Sequence, residues 1–359
     1  MNSNDFHRWG FTGGFAGEAA LYPGYHPGRV LSQFRNLYRV AGADGEFTAE
    51  ISGRFRFEAE RPSDFPAVGD FVLTDRSGDS GGNAVIHRVL ARRSAFIRRA
   101  AGTGNDDQVV AANIDTVFIC MSLNHNFNLR RLERYFAIGW DSGAVPVAVL
   151  TKADLCGEVE RRLAEVNAVC PGADVLVTSA MHEDGLAAVR GYLSEGRTVA
   201  FIGSSGVGKS TLINRLTGEN RQDTAGLSNE DRGRHTTTRR ELIMLPSGGM
   251  VVDTPGMREL GLESADLSRT FADIDALALR CRFSDCTHNG EPGCAVLRAV
   301  GEGALAADRF ESYLKLRKEA KYDGLNSRQI EALKIDAMFG GMSGLKTLRR
   351  QAKEKNRRG

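Results

Sequence analysis

Eight consecutive residues, Gly203, Ser204, Ser205, Gly206, Val207, Gly208, Lys209 and Ser210, satisfy the spacing G-x-x-x-x-G-K-[ST], with Thr211 next in the chain. The apolar run TVAFI precedes them and TLINRL follows, so the loop joins a strand to a helix, the context this spacing requires. Glycines at 203, 206 and 208 let the main chain wrap close to phosphate oxygens, and the N–H groups at the helix start add partial positive charge. Lys209 is the residue to reach β and γ phosphates, and Ser210 the residue to ligate Mg²⁺. Downstream, Asp253-Thr254-Pro255-Gly256 closes the apolar run GMVVD. There the Asp253 carboxylate can hold Mg²⁺ through water and the Gly256 N–H can sense a γ phosphate. Between them lies Gly233-Arg234-His235-Thr236-Thr237-Thr238, a polar loop whose hydroxyls, Thr237 foremost, can complete a magnesium shell.

A phosphate loop alone separates neither ATP from GTP nor a hydrolase from a kinase. Upstream of it, VPVAVL ends in Thr151-Lys152-Ala153-Asp154, and ADVLVT ends in Ser179-Ala180. These look like the two guanine-reading elements of GTPases. Asp154 would accept from the ring N1–H and the exocyclic amine, the Lys152 stem would cover the base, and the Ala180 N–H would meet O6. Adenine offers Asp154 no matching donor pair, so the arrangement favours GTP. In ordinary GTPases the phosphate loop comes first and the base readers last, whereas here the order is reversed. The sequence therefore resembles the circularly permuted GTPases, and over residues 33 to 320 the ribosome small-subunit-dependent GTPase A (RsgA) family. The resemblance rests on TKAD at 151, GSSGVGKST at 203, GRHTTT at 233, DTPG at 253 and a cysteine cluster at 281.

That resemblance implies a Mg²⁺-dependent GTPase that binds the small (30S) ribosomal subunit and its rRNA. It would hydrolyse GTP to GDP and phosphate to time a late step of subunit maturation, with the subunit stimulating turnover. After DTPG the chain has Met257, which cannot orient water. His235 is then the candidate to position the attacking water, with Lys209 and Thr237 completing the catalytic set. The base-reading motif begins with Thr151 instead of Asn, which loses an amide that contacts base N7 and braces the phosphate loop, a cost of about 1 kcal/mol.

Four further candidate ligands converge in Cys281-x4-Cys286-x-His288-x5-Cys294. Three thiolates and an imidazole match the Cys₃His set of structural zinc sites, with no position left open for catalysis. Cys120, Cys156 and Cys170 stand alone in apolar surroundings and suggest no chemistry.

The elements that must position these groups follow from periodicity. From Ile114 near-continuous apolar strands alternate with helical runs, which indicates a parallel sheet covered on both faces. From Tyr38 to Arg99 short alternating runs (LYRVAG, FTAEISGRFRF, GDFVLT, NAVIHRVL) indicate a five-stranded barrel. Segment 29–105 holds twelve Arg, no Lys and nine acids. With Phe55, Phe57 and Phe71 placed on strands, this barrel is expected to be an RNA binder of the oligonucleotide-binding (OB) type, the alternative being a salt-bridged solvated barrel. Expected boundaries are an N-terminal arm or strand-like extension (1–32), the barrel (33–105), a circularly permuted GTPase domain (106–268), and a zinc-bearing helical module with a basic tail (269–359).

The 359 residues carry 47 Lys plus Arg against 45 Asp plus Glu, a net +2, yet residues 315–359 alone sum to +8. The balance thus conceals cationic ends around an acidic centre, as a polyanionic partner requires. Composition excludes collagen-like, mucin-like and wholly disordered classes. No run suits a membrane span and the first residues lack a secretory pattern, so a cytoplasmic monomer without membrane contact is expected. A passive RNA-binding module and a small-molecule kinase are the competing classes. The first leaves the hydrolytic residues unexplained, the second TKAD and SA.

Overall fold

The structure, a computed structural model, describes residues 3–34, 36–98, 107–179, 184–218, 240–253, 267 and 270–321. Helix α1 (Gly13–Ala19) leads into strands β1 (His26–Phe34), β2 (Leu37–Gly42) and β3 (Gly45–Ile51), then helix α2 (Gly53–Glu58) and strands β4 (Phe71–Thr74) and β5 (Ala84–Val89). The strands close in the order β1-β2-β3-β5-β4-β1, with β3 and β5 parallel and every other pair antiparallel. This five-stranded Greek-key barrel is the expected OB type.

Three sequence expectations need correction. The run GRFRF is not strand: Ser52 caps a helix there, its Oγ accepting from the Phe55 N–H at 3.0 Å, so Phe55 and Phe57 lie on α2. Phe71 is on β4 but fully buried, against Phe6, Phe11 and Phe15, and so cannot stack on a base. Residues 1–32 are not a separate arm. Phe6, Trp9 and Phe15 are buried in the main core, and β1 begins at His26, where residues 26–29 pair with β4 to close the barrel.

A hairpin of β6 (Ala95–Arg98) and β7 (Gln108–Ala112) leads to the second sheet. That sheet is built from β8 (Thr116–Ser122), α3 (Leu129–Asp141), β9 (Val145–Thr151), α4 (Val159–Val169), β10 (Val175–Val177), α5 (Asp184–Arg190), β11 (Thr198–Ile202), α6 (Lys209–Thr217), β12 (Glu241–Met244) and β13 (Met250–Asp253). Its order is β10-β9-β8-β11-β13-β12, parallel except for β12. Alternate residues of β8 serve opposite cores: Val117, Ile119 and Met121 meet Leu132 and Phe136 of α3, and Phe118 and Cys120 meet Leu212 and Ile213 of α6. Continuous apolar runs are the sequence consequence of that double coverage. No helix among the described residues is long and apolar enough to cross a membrane.

Two buried arginines join these layers. The Arg29 guanidinium, from β1, donates to the carbonyls of Trp9 and Asn113 and to Thr198 Oγ1 (3.0 Å), and lies over the Phe71 ring. Burial lowers its pKa to about 9, so it remains cationic at neutral pH. It ties N-terminal segment, barrel and nucleotide sheet together. Barrel and sheet also join through strand pairing, Ser32 opposite Glu241, and through Arg39, which donates to Glu241 at 2.7 Å.

The second junction holds the C-terminal helices α7 (Ala272–Ala278), α8 (Ala295–Gly301) and α9 (Ala307–Lys321). Arg309 of α9 donates to Glu133 of α3, to both Asp273 carboxylate oxygens (2.9 and 2.7 Å) and to the Thr270 carbonyl (3.0 Å), with its plane against Phe271. Glu133 also accepts from Arg130 at 2.5 Å. Its pKa is raised, because desolvation outweighs the two arginines. Removing Glu133 or Arg309 leaves a buried charge without one of its partners. Glu133→Ala and Arg309→Ala are each expected to cost about 3–5 kcal/mol in urea unfolding, and the double variant less than the sum, as a double-mutant cycle would measure.

Candidate functional site

In the sheet containing β8, β9, β11 and β13, parallel register brings the C-terminal strand ends to one edge. Ser122 lies opposite Thr151, Ile119 opposite Ile202, and Ala200 opposite Val252. The residues that follow each strand therefore converge without any loop having to reach far.

The phosphate loop leaves β11 at Gly203. There φ is +145°, and a Cβ would fall 2.5 Å from the Cys120 carbonyl oxygen, so only glycine fits. Gly206 and Gly208 also have positive φ, +71° and +100°, and Gly208 starts α6. Val207 is fully buried beneath the loop. The Lys209 ammonium donates to the carbonyls of Gly203 and Ser204 at 2.8 and 2.7 Å, bridging the mouth of the loop. The buried Ser204 hydroxyl has no hydrogen-bond partner among the described residues, an unmet polar group of the kind a phosphate oxygen satisfies. Beneath the loop, burial pushes the Cys120 thiol up to about 12, although Lys209 opposes it. That sulfur is inert packing, as the sequence suggested.

The two base-reading elements meet each other and this loop. Thr151 is buried, and its hydroxyl donates to the Val207 carbonyl at 2.5 Å. Lys152, itself in the left-handed region (φ +58°), donates to the Gly206 carbonyl at 2.7 Å. Ser179 Oγ donates to Asp154 Oδ1 at 2.6 Å, which orients the carboxylate. A short 3-10 turn, Ala153–Leu155, carries Asp154 out of β9, and the Ala153 N–H reaches the Thr178 carbonyl at 3.2 Å. Asp253 ends β13 on the same edge, half-buried, and Ser210 and Thr211 occupy the first turn of α6. A hydroxyl and a carboxylate are hard oxygen donors that fit Mg²⁺. Ala180, His235, Thr237 and Gly256 lie outside the described residues, as do the rest of 233–238 and the tail 346–359.

The cysteine cluster is also assembled. The ligand atoms of Cys281, Cys286, His288 and Cys294 all lie within 4.8 Å of one another. His288 Nδ1 faces the sulfurs of Cys294 and Cys281 at 3.4 and 3.7 Å. Main-chain N–H groups of Ala295 and Leu297 point at the sulfurs of Cys281 and Cys294, 3.3 and 3.4 Å away, as thiolates held on a metal require. This set fits one tetrahedral ion.

Sequence reasoning missed Glu291, whose carboxylate accepts from the N–H groups of Thr287 and Asn289 and from the Thr287 hydroxyl. Those bonds, the Thr287 hydroxyl first, pull its pKa to about 2 and fold the loop around the ligands. The available signal was an acid flanked by Gly290 and Pro292 inside the ligand spacing. The arginine-rich barrel reading is revised in part. Arg92 is spent on Asp70, Ser63 and Phe65, and Arg93 lies over Phe15.

Known proteins bear on the whole. The family model of the RsgA GTPase matches residues 89–263. The small ribosomal subunit biogenesis GTPase RsgA 2 of Lactiplantibacillus plantarum is 48% identical over 345 residues, covering 96% of this chain and 97% of that protein. That of Opitutus terrae is 47% identical over 307 residues, covering 82% and 84%. Among solved structures, YjeQ from Thermotoga maritima superposes with a TM-score of 0.62 at 28% identity, over 83% of this chain and 99% of that one. YloQ, described as a circularly permuted GTPase, gives 0.59 at 24% identity and shares the fold.

Proposed function

The chain belongs to the RsgA GTPase family, and from that premise we propose that it hydrolyses GTP to GDP and phosphate in a late step of small-ribosomal-subunit biogenesis, accelerated by the subunit. The observation that carries this reading is that Thr151 and Lys152 donate to loop carbonyls of Val207 and Gly206 at 2.5 and 2.7 Å, while Asp154 beside them is held by Ser179 at 2.6 Å. A kinase or a passive RNA module has no use for a guanine reader braced against a phosphate loop.

On this reading Asp154, held by Ser179, accepts from the guanine N1–H and amine, and Ala180 donates to O6. Lys152 covers the base. Lys209 exchanges its two loop carbonyls for β and γ phosphate oxygens, and Ser204 finds its missing partner there. Ser210, Thr237 and Asp253 would hold Mg²⁺, which when bound neutralises charge developing on the transferred phosphoryl group. His235 positions the attacking water, and turnover is slow until the subunit binds. Cys281, Cys286, His288 and Cys294 hold one structural Zn²⁺. The barrel and the basic C-terminal region grip rRNA, and the protein works in the cytoplasm as a monomer.

The decisive assay follows phosphate release from GTP and ATP with and without purified small subunits. GTP alone should turn over, faster with subunits, and His235→Ala should lose at least tenfold of the stimulated rate. An unchanged stimulated rate would remove His235 from the mechanism, and equal use of ATP would remove the guanine reader.

Thr151 makes a sharper point. A hydroxyl has one hydrogen, which Thr151 gives to Val207, and guanine N7 only accepts. Wild-type protein should therefore bind 7-deaza-GTP and GTP alike within twofold, whereas Thr151→Asn should prefer GTP about fivefold, one neutral hydrogen bond. Competition against a fluorescent GDP measures both.

For the metal, plasma emission should find one zinc per chain in wild type and a severe loss in Cys294→Ser. Chelation should open residues 281–294 to proteolysis.

A further inference from the structure

We propose that Asn289 and Gly290, between His288 and Cys294 of the cysteine cluster, form a self-modification site that loses ammonia through a succinimide and so ages the loop. The modification goes beyond the proposed function and does not need it. Its effect on metal alone rests on reading Cys281, Cys286, His288 and Cys294 as a zinc site.

Closing the succinimide ring needs a free side-chain amide, a main-chain nitrogen after it that can approach, and no side chain in between. Asn289 is the one asparagine of the chain followed by glycine. It is exposed, and neither its carboxamide nor the Gly290 N–H has a hydrogen-bond partner among the described residues. Gly290 has a φ of +109°, and the position a Cβ would take there meets nothing within 4 Å, so nothing crowds the attacking nitrogen. Other asparagines lack this combination. Asn113 donates to the Gly69 carbonyl at 3.2 Å and Asn128 accepts from the Arg131 N–H at 2.9 Å, and each precedes a bulky residue, Ile114 and Leu129. Glu291 accepts from the Asn289 N–H at 2.7 Å, which fixes the main chain just before the reacting pair.

In the first step the Gly290 nitrogen bonds to Asn289 Cγ, the Cγ–Nδ2 bond breaks, and the Gly290 amide proton leaves with that nitrogen as ammonia. Water then opens the ring at either carbonyl. One opening leaves an aspartate and the other an isoaspartate, whose main chain runs through the β carbon and is one atom longer; no oxidant or reductant is consumed. Either product places a carboxylate on the residue whose N–H Glu291 holds, so two acids repel where one braced the turn. The longer main chain falls between His288 and Cys294, whose Nδ1 and Sγ lie 3.4 Å apart. Metal grip therefore weakens with age.

The test ages the full-length protein in warm neutral buffer for weeks, beside a synthetic peptide of residues 287–293, and reads both by peptide mass spectrometry. Each should gain about 1 Da at Asn289. The two rates should agree within about tenfold, because ring closure does not wait for the loop to unfold. Asn289→Gln, which must close a six-membered ring, should show no gain over the same period and keep the wild-type melting temperature. No gain at residue 289 in wild type, or a gain slower than in the peptide by more than about tenfold, overturns the site. For the metal, a colorimetric chelator should draw zinc from aged wild type at least about threefold faster than from fresh protein, and equally from aged and fresh Asn289→Gln. Equal release from aged and fresh wild type overturns the ageing of the metal loop. Fresh protein that carries no zinc sinks the metal reading instead, and the mass gain then decides the modification by itself.

Discussion

Parallel pairing of β8, β9, β11 and β13 fixes which residues can share a site. A parallel sheet sends all its C-terminal ends to one edge, so whatever follows each strand meets there regardless of the order in which the chain visits them. Thr151 follows Ser122 in register, and Gly203 emerges beside the Cys120 carbonyl with no room for a Cβ. Circular permutation cuts and rejoins loops while leaving this register alone. A site assembled from strand ends therefore survives the rearrangement, and the Thr151 hydroxyl reaches the phosphate loop although 56 residues separate it from Val207.

The permutation changes what the strand ends are connected to. With the base readers first, β12 and β13 come last in the sheet, and two neighbours are attached at that side. β12, which follows directly on the loop containing His235 and Thr237, pairs with barrel strand β1 through Glu241 and Ser32 and is held by Arg39. Beyond Asp253 the chain leads to α7, which Arg309 binds to α3 and α9. The barrel and the C-terminal helices thus attach to the side of the sheet formed by β12 and β13. A buried ion pair such as Arg309–Glu133 contributes little net stability but penalises misalignment heavily, which suits rigid transmission between modules.

The site was more legible in the sequence than the barrel surface, for a physical reason. Phosphate binding demands glycine where φ is positive, a lysine at fixed spacing and a strand before a helix, all local constraints. The candidate metal site likewise compresses four possible ligands into 14 residues. The fates of the arginines are not local. Arg92 finds Asp70 at a separation of 22, and Arg29 finds Thr198 at 169, so composition could not say which cations face solvent. The same holds for Phe71, buried by N-terminal aromatics that carry no periodic signal, and for GRFRF, whose alternation mimics a strand until Ser52 caps a helix.

Those fates alter what the charge pattern means. Segment 29–105 sums to +3, yet Arg29 and Arg92 are committed to internal partners and Arg93 to an aromatic face. Cations locked onto carbonyls, carboxylates and rings release no counterions when a polyanion arrives, so they add nothing to a salt-dependent grip. Any grip of the barrel on a polyanion then rests less on its arginine count than on the cations that remain uncommitted. Long-range attraction falls to the +8 of residues 315–359. On the proposed reading, the basic C-terminal region would set how fast a polyanion is found and the barrel which part of it is held.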